Sequence, residues 1–139
     1  MDSDDLDNQV RAKIDSGDAY LDSDDFEHAA QMFREAIRLI PEPQHLYGVA
    51  LPAFTALGEA CFYAGDYAQA LQSFRSALKA PNGLENPLVY LRLGQTLFET
   101  GDLHHAAEAF LRAYALEGKE IFAGEDDKYF LFLSQYLTP

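Results

Sequence analysis

The sequence predicts an all-α fold of antiparallel helix pairs stacked side by side, and three observations carry that prediction. First, one set of residue types recurs at fixed offsets: Gly17/Ala29/Phe33/Ala36, Gly58/Ala70/Phe74/Ala77 and Gly94/Ala106/Phe110/Ala113. The step from Gly to the first Ala is 12 residues in each copy. Second, each copy holds a turn signal between its Gly and its first Ala: Asp24-Asp25-Phe26, Gly65-Asp66 and Gly101-Asp102-Leu103. Third, Ala, Phe and Ala then follow at spacings of 4 and 3, which is one face of a helix. Small, large, small on one face lets a neighbouring helix come close while the ring fills the gap. A glycine inside a helix costs about 1 kcal/mol against alanine, and close helix–helix approach is the usual reason for one.

Taken in order, residues 1–7 carry Asp2, Asp4, Asp5 and Asp7 and are expected to fray, although acids in a first turn suit the helix dipole. The first helix is expected to reach about Leu21. Asp22 to Asp25 makes an acidic turn, and the second helix runs to about Ile40. The segment PEPQHLYGVALP then breaks the spacing, because Gly17 to Gly58 is 41 residues. Its apolar run, Leu46, Tyr47, Val49, Ala50 and Leu51, argues against a solvated loop. The expectation is a third helix that starts early, at Pro43, with a kink near Gly48–Pro52. Pro81-Asn82-Gly83 is a turn, and Asn86-Pro87 reads as an N-cap followed by a first-turn proline. The third copy runs from there to about Glu117. Beyond Gly118, Asp126-Asp127 is expected to start a last helix whose Tyr129, Phe130, Leu133 and Leu137 pack on the third copy.

The recurring Gly, Ala, Phe and Ala, with Tyr20 in a tyrosine slot and Pro41 and Pro81 closing two copies, resemble the tetratricopeptide repeat, a helix–turn–helix unit of about 34 residues. Cys61 and Leu97 fill the tyrosine slot in the other copies. The resemblance implies an α-solenoid of three such repeats plus a C-terminal capping helix, about seven helices in one domain spanning 1–139. The repeats fall at about 10–43, 51–84 and 87–118, and the cap at about 125–137. A solenoid's last repeat leaves a bare face, which is why a cap is expected. Asn86-Pro87, Leu91-Arg92-Leu93-Gly94-Gln95, Phe98-Glu99, Gly101-Asp102, Glu120-Ile121-Phe122, Glu125-Asp126, Lys128-Tyr129 and Phe132-Leu133 are similar to a group of small bacterial three-repeat proteins.

Charge narrows the function classes. The 23 acidic against 10 basic residues give a net charge of −13. Nucleic-acid binding needs a basic surface and is not expected, and an anionic membrane would repel this chain. A basic partner fits, and so does plain solubility. Through Glu27 the balance is already −8. The N-terminus has no apolar stretch of signal-peptide type, and no run is long and apolar enough to span a bilayer, so a cytoplasmic setting is the expectation. Cys61 is the single cysteine, so no intrachain disulfide can form, and a buried structural thiol is expected.

No catalytic constellation, cofactor site or small-molecule substrate is expected. His104 and His105 are neighbours on a helix and project about 100° apart, which favours surface histidines over a metal site. His28 and His45 have no partner at ligand spacing. Ser16, Ser23, Ser73, Ser76 and Ser134 have no recognisable base, and no glycine-rich phosphate loop occurs. Asp24-Asp25 and Asp126-Asp127 are explained by helix capping. The Gly-Asp turns lack the aspartate series and distal glutamate of a calcium loop.

What remains is a binding surface. In the resembled family the first helix of each repeat lines a concave groove. Mapped onto this chain, that gives Ile14, Asp18, Leu21 and Asp22; then Thr55, Glu59, Phe62 and Tyr63; then Leu91, Arg92, Gln95, Phe98 and Glu99. Rings flanked by carboxylates suit a basic or amphipathic protein segment; the plainer reading is that Phe62, Tyr63 and Phe98 pack between helices. Chaperone-binding members of the family clamp a terminal carboxylate with Lys, Asn and Arg. Here Ile14, Asp18, Ala56 and Leu88 replace the first four of those positions and only Arg92 matches, so that clamp is not expected. The function expected is therefore a non-enzymatic adaptor or chaperone-like interaction module; the alternative is an immunity protein that neutralises a toxin.

Overall fold

The computed structural model describes residues 3–137. Seven α-helices occur in order: α1 (Ser3–Asp22), α2 (Phe26–Arg38), α3 (Ala50–Tyr63), α4 (Tyr67–Lys79), α5 (Pro87–Glu99), α6 (Leu103–Glu117) and α7 (Asp127–Ser134). Short 3-10 turns lie at Gln44–Leu46, Gly83–Glu85 and Lys119–Phe122, and the described residues form no strand. Packing divides the chain into two compact units, Met1–Leu84 and Glu85–Pro139.

The repeated motif is a packing device. A Cβ built on Gly58 would lie 2.5 Å from Cε1 of Phe74, and one on Gly94 would lie 2.6 Å from Cδ1 of Phe110. Gly17 stands against Phe33 in the same way. Phe33, Phe74 and Phe110 are fully buried. Each ring therefore packs directly against the backbone of the preceding helix, at a distance only glycine permits. The turns repeat as well. The backbone N–H groups of Asp25, Asp66 and Asp102 donate to the carbonyls of Tyr20, Cys61 and Leu97 at 2.9, 2.8 and 2.9 Å. Those acceptors are the three residues of the tyrosine slot. The same aspartates then cap α2, α4 and α6 with their side chains, accepting from the N–H of His28, Gln69 and His105. Just before them stand Asp24, Gly65 and Gly101, with φ of 59°, 82° and 86°.

In the first unit the core gathers Leu6, Val10, Ala36, Ile40, Val49, Ala50, Ala53 and Ala80, with Ile14, Ile37, Tyr47, Leu51 and Phe54 packed against it. This corrects the expectation of a frayed start: α1 is helical from Ser3, and Leu6 is only 6% exposed. Leu6 and Val10, one turn apart, tie the acidic N-terminus to the core. The part of that expectation concerning residues 1 and 2 lies outside the described residues.

The early third helix is also corrected. Residues 41–49 form a loop with a cis Glu42–Pro43 bond, and α3 begins at Ala50. Pro52 thus sits in the first turn, where its missing N–H has no helical partner to lose, and no kink is needed. Of the apolar run expected to avoid solvent, Val49 is buried and Tyr47 half-buried, whereas Leu46 and most of the loop are exposed. The Gln44 amide donates to the carbonyls of Ile37 and Ile40 at 2.8 and 3.0 Å, satisfying the open end of α2.

In the second unit Asn86 caps α5, accepting from the N–H of Leu88 and Val89, with Pro87 in the first turn. Leu91, Phe110, Phe122, Tyr129 and Leu133 form its core. Asp126 accepts from the Lys128 N–H to start α7. Phe110 meets Phe122, Tyr129 and Phe132 at centroid distances of 5.5, 5.9 and 6.2 Å, and Phe130 lies 5.4 Å from Phe122. Much of the apolar tail is thus taken up by ring-to-ring packing within its own unit, while Leu131 and Tyr136 stay exposed.

Candidate protein-binding surface

In the first unit, Asp15, Asp18 and Asp22 project from α1 at three- and four-residue steps. Asp18 lies close enough to Glu59 of α3 for their charges to interact. Burial pushes the Asp18 carboxyl above its ordinary value, and the charges of Asp15, Glu59 and Asp22 push it in the same direction. Asp15, Asp22 and Glu59 thus all bring negative charge to bear on Asp18, which favours a cation beside it. Asp18 and Asp22 are exposed, and Glu59 is half-buried.

One helical turn beyond Glu59 the surface becomes aromatic. Tyr63 is 48% exposed and stacks on Phe26 with centroids 5.7 Å apart and planes inclined by 26°. Phe62 is half-buried and meets Tyr63 at 5.5 Å and Tyr67 at 5.6 Å. Phe26 and Tyr67 extend the candidate set. They are the first residues of α2 and α4, directly after the capping aspartates, which is the one sequence signal that could have flagged them. Ile14 packs against the core and Leu21 is half-buried. Thr55 is buried and donates its hydroxyl to the Leu51 carbonyl at 2.7 Å, inside its own helix. Of the eight candidates in this unit, the structure brings Asp18, Asp22, Glu59, Phe62 and Tyr63 to one acidic and aromatic surface.

The five candidates on α5 are held differently. Leu91 and Gln95 are each 1% exposed. Arg92 donates to Gln95 Oε1 at 3.1 Å and to Glu125 Oε1 at 2.7 Å, and the Gln95 amide also reaches Glu125 at 2.7 Å. Lys128 Nζ pairs with Glu99 at 2.8 Å. Phe98 meets Tyr129 and Phe132 edge-on at 5.4 and 5.2 Å. The C-terminal segment therefore occupies the α5 surface, and Arg92, the one position matching the family's carboxylate clamp, is engaged by the chain's own Glu125. The apolar tail from Tyr129 was visible in the sequence, whereas the pairing of Glu125 with Arg92 and Gln95 was not.

Outside these surfaces, His104, His105 and Glu108 place candidate ligand atoms within 4.8 Å of one another, all exposed. The two imidazoles lie 5.2 Å apart. Each already faces a carboxylate: His104 Nε2 is 3.1 Å from Glu108 and His105 Nδ1 is 2.9 Å from Asp102. The hydrogen bond from the His105 side chain holds the Asp102 carboxyl below its ordinary value, as the His28 backbone N–H does for Asp25. Cys61 is buried, and burial pushes its thiol up. Among the described residues no helix is long and apolar enough to cross a membrane.

Comparison with known proteins agrees with this geometry. Two sequence profiles of the tetratricopeptide repeat match, over residues 10–43 and 55–121. The C-terminal TPR-containing domain of a Plasmodium falciparum FK506-binding protein superposes with a TM-score of 0.77 at 15% identity, covering 99% of this chain and 94% of that one. MamA superposes with a TM-score of 0.69 at 17% identity, covering 94% of this chain and 77% of that one. No curated protein matches the chain. Repeats of this kind are protein–protein interaction modules, generally without catalytic activity. On the matched profiles, the repeated spacing and the seven-helix architecture, the chain belongs to the tetratricopeptide repeat family.

Proposed function

We propose that the protein is a cytoplasmic adaptor that holds a basic, amphipathic protein segment against the acidic and aromatic surface of α1 and α3. The observation that carries this reading is the crowding of Asp15, Asp22 and Glu59 around Asp18, whose carboxyl is raised from its ordinary value by burial and by those charges. A cationic side chain placed among them relieves the repulsion, and an apolar residue one turn away meets Tyr63 and Phe62. The surface of α5 takes no part, since the C-terminal segment fills it.

Fluorescence anisotropy with a labelled lysine–leucine amphipathic peptide tests this. Tyr63→Ala removes an exposed ring and is expected to weaken binding about thirtyfold, as loss of an interface anchor worth about 2 kcal/mol does. Asp22→Lys is expected to act on the association rate and to flatten its salt dependence. Full affinity in both variants, with unchanged melting temperatures, removes this surface as the site.

A further inference from the structure

A second trough in the first unit carries the opposite chemistry. It has a volume of about 310 Å3 and is lined by Arg34, Ile37 and Arg38 of α2, Phe54 and Leu57 of α3, and Gln69, Gln72, Ser73 and Ser76 of α4. The lining follows helix geometry. Arg34 and Arg38 are one turn apart on α2, and Gln69, Gln72, Ser73 and Ser76 share one face of α4. Leu57 is buried, and Phe54 is half-buried. The first 84 residues hold fourteen acidic and six basic side chains, yet no carboxylate lines this trough. Among the described residues neither arginine forms an ion pair; the contact recorded for Arg34 runs from Nη2 to the Cys61 sulfur at 3.9 Å. A thiol is a weak acceptor. Two guanidinium groups, in a stretch (28–84) whose four acidic and four basic residues balance, are thus left facing an apolar trough rimmed by amides and hydroxyls.

We propose that this trough is a second docking site, for a short acidic amphipathic segment of a partner protein, with two carboxylates one helical turn apart meeting Arg34 and Arg38 and an apolar residue between them entering toward Phe54 and Leu57. Charge complementarity selects the occupant. Guanidinium forks bind carboxylates in bidentate fashion, and the Gln69, Gln72 and Ser76 side chains offer donors for the remaining carboxylate oxygens. The volume lies at the low end of the ~300–1,000 Å3 range of ligand pockets, which suits a few side chains of a segment. The site is distinct from the acidic and aromatic surface and uses none of its residues.

The test uses the full chain and a fluorescein-labelled peptide of about 14 residues, long enough to become helical when bound. Two of its glutamates stand one turn apart with leucine between them, and a control peptide carries lysine in place of both glutamates. The glutamate peptide is expected to bind and the lysine peptide to fail at this site. Arg38 is exposed, so Arg38→Glu leaves the core untouched and is expected to lower affinity about tenfold or more, as losing a charge-assisted contact does. Arg34→Gln, checked by its melting temperature, is expected to weaken binding comparably. Tyr63→Ala is expected to leave this affinity unchanged, which separates the site from the one proposed above. The proposal is overturned if the glutamate peptide does not bind, if Arg38→Glu binds it at parental affinity, or if Tyr63→Ala abolishes the binding. It is overturned equally if the chain self-associates through the arginines, because the occupant is then a second copy's acidic α1.

Discussion

Gly58→Ala sets two known magnitudes against each other. Alanine is the better helix former by about 1 kcal/mol, so on propensity alone the change stabilises α3. The added methyl, however, lies 2.5 Å from Cε1 of Phe74 and 2.7 Å from its Cδ1 and Cζ. Phe74 is fully buried, so its ring has no free space to retreat into. Overpacking of this kind costs about 1–3 kcal/mol or more, and three sub-van-der-Waals contacts to one ring place it at the upper end. The expected net effect is a loss of about 1–2 kcal/mol. A double-mutant cycle sharpens this. Phe74→Ala alone is expected to cost about 3–5 kcal/mol. In that background the clash is gone, so Gly58→Ala should gain its propensity term and raise stability by up to about 1 kcal/mol. The sign of the alanine effect should therefore reverse, giving a coupling of about 2–3 kcal/mol. Urea unfolding followed by circular dichroism at the helix band measures all four corners, and Phe74→Leu serves if Phe74→Ala does not fold. A stabilised Gly58→Ala in the parent, or equal effects in the two backgrounds, refutes the view that glycine is required for the ring to approach the backbone.

Three further outcomes are expected. Glu125→Ala should cost about 1–3 kcal/mol by removing the acceptor that Arg92 and Gln95 share, Leu133→Ala about 2–5 kcal/mol, and removal of 125–139 more than either; a monomeric truncation with an unchanged melting temperature contradicts the covering role of α7. Asp24 holds φ 59° where its counterparts are glycines, so Asp24→Gly should be neutral or gain up to about 1 kcal/mol while Gly65→Ala loses about 1 kcal/mol or more; a clear loss in Asp24→Gly contradicts the equivalence of the turns. The Asp18 carboxyl is raised above 3.8, so the native state holds that proton more tightly and stability falls as pH rises through the window that begins there. Asp18→Asn should therefore melt higher than the parent at neutral pH and lose that advantage in acid; an advantage independent of pH points to a cause other than the charge.

The parts of the fold that local chemistry determines were legible in advance. Gly58 and Phe74 announced a close approach, Asn86-Pro87 a capped start, and Asp126 the last helix, because each signal lies within a few residues of what it controls. Where the outcome depends on distant partners, the sequence pointed elsewhere. The acidic stretch before Asp7 reads as solvated until Leu6 is placed in a core with Val49 and Ala53. The run around Tyr47 and Val49 reads as helix because apolar residues need burial, yet a loop buries them equally well once Gln44 closes the end of α2. The candidate surface divides along the same line. Glu59 and Tyr63 follow from helical periodicity, since a spacing of four puts them on one face of α3, whereas Asp18, on α1, was placed beside them by the repeat resemblance. That Arg92, Gln95 and Phe98 face the chain's own Glu125, Tyr129 and Phe132 could not be read from α5, because periodicity states which residues share a face and not what covers it. The stacking of Phe26 on Tyr63 is unreadable for the same reason: it joins residues from two helices.

The solitary thiol of Cys61 has a practical consequence. It is 2% exposed and its proton is held more tightly than in a free cysteine, so an alkylating or disulfide reagent can reach the reactive thiolate only when the interior opens. Labelling is then a clock for that opening. If reclosing outpaces the reagent, the observed rate divided by that of an unstructured cysteine peptide gives the open fraction directly. Since α3 holds the only cysteine, the clock reports on the unit Met1–Leu84 alone, and a peptide that docks there should slow it in proportion to occupancy, without any attached dye.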